Sequence, residues 1–378
     1  MTANPRVVFL KRPEIGELPV VGRHIILDSS PTIDLDNVPL NGGFLTMTLM
    51  LSPEPSIRDR MRDPSIASYT TTFIVGAPII GPGIVLVLRS ERDDVNAGDY
   101  MYGQTPWEIY TVQPYVEGMF CTNFHNRPSH PREWAPDTFD MDSLALRVVP
   151  NPNGRYPLSK YISLLGTPGL TAFVGFEALV DAKEGTTIFV SSGASGLVIR
   201  ARSSSMAIQL AKLKGMKVVA SAGSDAKVNY MRSLGADFPF NYKKLSYDDA
   251  LAQYGPIHDN VGGEALDAAL DSLIPKSRAV ICGVVSSDNV PPAQRYRLKN
   301  AHLIMKKRLE LRGFIVPDFI PQFFGKFMEE VPALMPQGKL RSEEYLTRGI
   351  ENAPHVLIDV LNGRSDAVGK PIVMIAGD

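Results

Sequence analysis

The chain has 378 residues, enough for two domains, and its 44% hydrophobic and 21% charged side chains are the make-up of a soluble globular protein. A formal net charge of −1 gives no general attraction to nucleic acid or to an anionic membrane. Two cysteines, Cys121 and Cys282, exclude a multi-bridge disulfide framework and any four-cysteine zinc site.

The opening Met1-Thr2-Ala3-Asn4-Pro5-Arg6 has no signal-peptide core, and no apolar run approaches the ~18 residues of a bilayer span, so a cytoplasmic protein without membrane contact is expected. Residues 1–150 are rich in proline, glycine and β-branched side chains. Phe44–Leu51 alternates and reads as a strand, Ser56–Met61 as one helical turn, and Gly76–Leu88 as strands joined by a glycine turn. Asn96–Asp99 is a turn before another strand, and Trp107–Val112 is a strand again. Many short strands with turn signals point to an antiparallel, barrel-like domain. Cys121–Asp142 is polar and proline-rich and reads as a long surface loop; the spacing of Cys121, His125, His130 and Asp137 fits no standard site, so no metal is expected.

From Leu158 the pattern turns helical, with Leu158–Leu165 and Leu170–Leu179 bridging two domains. The most informative stretch follows. Thr187–Val190 is an apolar run, Ser191–Gly196 a loop of small residues, Met206–Gly215 a helix, Lys217–Ala220 a second strand, and Ala226–Leu234 a second helix. Strand, glycine loop, helix and strand form the first unit of a dinucleotide-binding sheet: the bare loop lets a pyrophosphate approach, and the helix start favours its charge. Where such a site for NAD carries Asp or Glu at the end of the second strand, this chain has Ala222, Gly223 and Ser224, with Lys227 one turn on. Small residues and a cation suit the 2′-phosphate of NADP; the alternatives are helix capping by Ser224 and Asp225 and a solvated lysine. Nine residues, Leu197–Ser205, with Arg200 and Arg202 among them, separate Gly196 from the helix. Strands are expected next at Ala236–Tyr242, at the approach to His258–Gly263, at Arg278–Val285, Gly313–Val316 and Lys370–Ile375. Helices are expected at Tyr247–Gln253, Ala265–Leu273, Asn300–Leu311, Gln322–Val331 and Glu351–Leu361. The alternation implies a parallel sheet, hence an α/β fold.

The chain resembles the zinc-independent medium-chain dehydrogenase/reductases, in the prostaglandin reductase and alkenal double-bond reductase branch. The residues that carry the resemblance are Leu51–Met61, Leu165–Phe173, Ala222–Val228, Asn241–Lys243, Asp259–Glu264, Ile281–Gly283, Gly313–Val316 and Glu351–Pro354. It implies a GroES-like β-barrel over 1–150, rejoined by 320–378, and a Rossmann doubly wound sheet over 151–319. It implies NADPH, held by Gly196, Leu197, Val198, Lys227, Tyr242, Asn260, Cys282, Gly283, Phe314, Ile315 and Val316. It implies a small apolar enone or enal as substrate, with detoxification or metabolite tailoring as the role, and a homodimer. The chain departs from the pattern in the extra residues after Gly196, in a short segment before Asp259, in Asp288 where the family has a tyrosine, and in Ala367 where it has an asparagine. Tyr161 and Tyr296 are the candidate hydrogen-bond donors in place of that tyrosine, with ordinary packing as the alternative. A relative that keeps the fold without the chemistry, or extra residues that arise from gene prediction, are the competing readings.

Overall fold

The computed structural model describes residues 1–113, 115–116, 119–120, 146–151, 154–191, 201–254, 263–283, 289–363 and 367–376. Its largest sheet runs in the order Arg147–Val148, Tyr100–Pro106, Ile80–Ser90, Phe44–Leu51, Lys370–Met374, Glu344–Arg348, with Tyr110–Gln113 also paired to Phe44–Leu51. All pairs are antiparallel except Glu344–Arg348 with Lys370–Met374. The C-terminal tail therefore closes on the strand nearest the middle, Val373 opposite Leu51. Register shifts at Leu45/Thr46 and Thr48/Met50 bend that strand.

The expected glycine turn within Gly76–Leu88 lies earlier. Gly76 turns with φ +86°, and Ile80–Ser90 is one continuous strand. Gly81 and Gly83 serve close approach: a Cβ on Gly83 would stand 2.8 Å from both Met50 O and Thr105 Cγ2.

The second region is parallel. Thr187–Ser191, Lys217–Ala222 and Phe238–Asn241 form one ladder in that order, and Arg278–Ile281 pairs with Glu310–Gly313 in another. Alternation explains why both faces are covered. Ile188, Val190, Val218 and Ala220 pack in one core with Leu210 and Phe173, while Phe189 and Val219 pack in a separate core with Phe240, Leu266 and Leu270. Three expected elements are corrected. Asn300–Leu311 is a short helix, His302–Lys307, ended by Arg308 at φ +54°, and then the strand Glu310–Gly313. The strand expected over Gly313–Val316 stops at Gly313, because Pro317 opens a turn of 3-10 helix. The helix expected from Met206 starts at Ala201.

A buried ion pair ties the two ends of the chain. Lys370 Nζ reaches Glu54 Oε1, which also accepts from Ser52 Oγ at 2.7 Å. Lys370 is 1% exposed.

Candidate active site

Strand Lys217–Ala222 ends at the carboxyl edge of the parallel ladder, where the chain turns through Gly223 and Ser224 into the helix Asp225–Ser233. Ser224 stands in extended conformation before the helix but makes no side-chain capping bond. Its Oγ is buried and has no hydrogen-bond partner among the described residues. Glycine is needed at 223, since a Cβ there would stand 2.6 Å from Tyr242 Oη. Tyr242 N–H donates to Ala222 O at 3.1 Å, and its ring stacks on Tyr247 at 5.6 Å. Lys227 lies half-buried in the first turn of the helix. Asp225 would repel an anion here, but Asn241 Nδ2, at 2.8 Å, and Lys244 Nζ donate to its carboxylate and hold it below the usual carboxylate range. An orphaned hydroxyl and a phenol stand at a helix N-terminus whose first turn also carries a lysine, a setting that favours a phosphate. These residues fit the 2′-phosphate of NADPH.

Lys227 also lines an open cleft of about 690 Å³, with Tyr230, Arg341, Ala367 and Lys370 on its walls. The cleft lies between the helices of the parallel region and the C-terminal segment. Gln209 fixes that segment from the helix Ala201–Leu213, accepting from Arg341 N at 2.9 Å and donating to Arg341 O at 3.0 Å.

A second cavity, about 750 Å³ and open to solvent, is mostly apolar. Leu165, Leu170, Val316, Ile320, Phe324 and Met328 supply much of its wall. The helix Thr167–Val174 begins at its edge, with Pro168 in the first turn. Two phenols face it. Tyr161 is 4% exposed and donates to Pro150 O at 2.9 Å; burial, then the neighbouring Tyr156, raises its pKa. Tyr102 Oη accepts from Thr167 N at 3.0 Å and lies 2.9 Å from Thr167 Oγ1. Burial pushes its pKa up to about 12, so it is a phenol, not a phenolate, at any working pH.

The structure brings Tyr161 and Val316 to this cavity and Lys227 and Tyr242 to the strand end. Phe314 N donates to Ile281 O at 3.2 Å, and its ring covers Gly175, where a Cβ would meet Cζ at 2.9 Å. Ile315 follows it, and Cys282 and Gly283 follow the strand Arg278–Ile281. Gly196, Leu197, Val198, Asn260 and Asp288 lie outside the described residues. Tyr296 is elsewhere: it donates to Asp267 Oδ2 at 2.8 Å, carries Lys299 Nζ over its ring at 5.3 Å, and lines neither cavity, which is the packing role. Among the described residues no three His, Cys, Asp or Glu side chains are grouped as a metal site; the stretch Cys121–Asp142 lies outside them. Sequence reasoning missed Tyr102 and Arg147. The alternation of Tyr100–Pro106 marks a two-faced strand, but not which face meets a cavity.

Comparison with known proteins gives three findings. The family described as zinc-binding dehydrogenase matches residues 204–333. A zinc-type alcohol dehydrogenase-like protein of Schizosaccharomyces pombe is 32% identical over 100% of this chain and 100% of its own length, and a 2-alkenal reductase (NADP(+)-dependent) of Nicotiana tabacum is 33% identical over 87% and 86%. Among solved structures, CurA from Vibrio vulnificus in complex with NADPH superposes with a TM-score of 0.76 at 25% identity, covering 99% of this chain and 100% of that one.

Proposed function

The chain belongs to the zinc-independent medium-chain dehydrogenase/reductases, in the NADP-dependent alkenal double-bond reductase branch, and from that premise we propose how its site works. It is an NADPH-dependent oxidoreductase that saturates the C=C bond of an α,β-unsaturated aldehyde or ketone. The observation that carries the cofactor assignment is the buried, unpartnered Ser224 hydroxyl at the start of the helix that carries Lys227, next to Gly223, over which the Tyr242 phenol lies. When bound, the cofactor supplies a hydride.

The residues do the rest. Lys227 and Tyr242 would hold the 2′-phosphate, and Phe314, Ile315 and Val316 would hold the cofactor on the side where Val316 lines the 750 Å³ cavity. Leu170, Ile320 and Met328 offer the enone an apolar wall. As a C–H bond forms at the β-carbon, the alkene electron pair moves toward the carbonyl and the oxygen becomes an enolate. Tyr102 Oη, which already accepts from Thr167 N–H, donates its proton toward that oxygen. Tyr161 is less suited, because its proton is directed to Pro150 O. The α-carbon then takes a proton from solvent, which completes addition of one hydride and one proton across the double bond.

Residues 1–150 with 320–378 form the substrate-side domain in this reading, and 151–319 the cofactor domain. We place the enzyme in the cytoplasm as a homodimer; no helix of the described residues is long and apolar enough to cross a membrane. The test is a fluorescence titration with NADPH and NADH, followed by NADPH oxidation with a 2-alkenal. Micromolar NADPH binding with much weaker NADH binding is expected. Lys227→Ala should narrow that preference by about tenfold or more, the worth of one charge-assisted hydrogen bond. No binding of either nucleotide at millimolar concentration would overturn the reading and favour a relative that keeps only the fold.

A further inference from the structure

The helix Thr167–Val174 starts at the wall of the substrate cavity, and its first residue is firmly placed. A Cβ on Gly169 would overlap Leu164 O, so the helix start packs directly on the backbone of the turn before it and has little room to shift. Thr167 N–H is one of the donors that a helix leaves without an internal partner. No side chain caps this helix; Thr167 N–H donates to Tyr102 Oη at 3.0 Å instead. Thr167 Oγ1 lies 2.9 Å from the same oxygen. Both residues line the cavity.

Two hydroxyls that share one hydrogen bond leave one proton over. Among the described residues neither hydroxyl has another acceptor. If Tyr102 donates, its proton is spent on Thr167 Oγ1 and none remains for a substrate oxygen. If Thr167 donates, Tyr102 Oη accepts two hydrogen bonds from one residue, and its own proton is turned to the cavity. A carbonyl oxygen beside Tyr102 selects the second arrangement, because that oxygen binds only the form that offers it a proton. Two donors into Oη also polarise its O–H, so the phenol becomes a stronger donor as negative charge grows on the substrate oxygen. The same two bonds oppose the burial that raises the Tyr102 pKa. We propose that Thr167 is a positioning residue for the reduction, its hydroxyl donating to Tyr102 Oη and thereby turning the phenol's proton toward the enolate oxygen. The proposal rests on the reading of Tyr102 as the partner of that oxygen.

The experiment is steady-state NADPH oxidation with a 2-alkenal by wild type, Thr167→Val, Thr167→Ser, Tyr102→Phe and the double variant, with thermal unfolding and an NADPH titration beside it. Thr167→Val keeps the branched shape and the backbone N–H and exchanges only the hydroxyl for a methyl group. It should lower kcat about five- to tenfold, the worth of one hydrogen bond, with KM, Tm and NADPH affinity little changed. Thr167→Ser should recover most of the loss. In the Tyr102→Phe background Thr167→Val should lower kcat no further, an outcome that a merely structural role does not give. An unchanged kcat in Thr167→Val, an equal loss in the Tyr102→Phe background, or a Thr167→Ser enzyme as slow as Thr167→Val would each overturn the proposal and leave the reductase reading intact. A Tyr102→Phe enzyme as fast as wild type would remove Tyr102, and Thr167 with it, from the chemistry. A wild type that binds NADPH but reduces no 2-alkenal would overturn the reductase reading itself.

Discussion

Tyr102 combines the properties needed of an enolate partner. Its hydroxyl is set by Thr167, and burial keeps it protonated, with a pKa of about 12. Tyr102→Phe deletes one oxygen and keeps the ring, so packing is conserved. The expected result is a fall in kcat of about a hundredfold, the usual contribution of one hydrogen-bond donor to a developing oxyanion, with KM changed little. Steady-state kinetics on a 2-alkenal decides it; a kcat within a factor of about two of wild type would take Tyr102 out of the chemistry. The same residue shows the limit of reading a site from sequence. Tyr161 was legible because it precedes a recognisable Gly166 motif, whereas Tyr102 sits in a strand with no motif and faces the cavity only because Arg147–Val148 pairs beside it. Tyr296 donates to Asp267, the packing role that the sequence also allowed.

At the scale of the element, the helix Ala201–Leu213 decides what the extra residues after Gly196 are. Read from sequence, nine residues separate Gly196 from the helix. Five of them, Ala201–Ser205, are helical. Ser204 Oγ donates to Ser191 O at 3.0 Å in a buried setting, tying the helix start to the strand Thr187–Ser191. The sequence misplaces this boundary because Arg202-Ser203-Ser204-Ser205 has no apolar periodicity, and serine competes with the helix backbone for hydrogen bonds. Removal of 199–205 would therefore cut more than one helical turn. The expected outcome is loss of stability with no gain in NADPH affinity, read by thermal unfolding beside a nucleotide titration. Ser204→Ala alone should cost about 0.5–1.5 kcal/mol, the usual net worth of one hydrogen bond. A trimmed protein that is as stable as wild type and binds NADPH more tightly would contradict the assignment.

At the scale of the whole molecule, stability against acid has a contributor in His24. The residue has no exposed surface; its Nδ1 accepts from Val20 N–H at 2.9 Å, and its Nε2 is 3.6 Å from Glu17 Oε2, too far for a hydrogen bond. Burial lowers its pKa from the ordinary 6.5, and Glu17 opposes this in part. The unfolded chain therefore binds the proton first as pH falls. The stabilising effect is complete above about pH 6.5 and is lost as pH drops through the lowered folded value. His24→Asn, which keeps an acceptor for Val20, should flatten the fall in Tm between about pH 7.5 and pH 5 relative to wild type. Equal slopes would show that His24 contributes nothing to the acid sensitivity.

The sequence by itself determined the parallel cofactor-binding unit and pointed to NADPH as its cofactor. Both follow from local chemistry: alternating apolar residues at 187–191 and 217–222, small residues at 222–224, and a lysine one turn later. Only the tertiary structure decided the substrate cavity. Tyr102 and Gln104 come from one strand, Arg147 from its neighbour, Tyr161 and Thr167 from the segment that follows, and Val316 and Phe324 from beyond the parallel strands. The tail pairing of Val373 with Leu51 and the Lys370–Glu54 ion pair bring the far end of the chain back to the same sheet. A strand's alternation is written into neighbouring residues, but a cavity exists only where distant segments fail to fill the space between them, and no local pattern records that.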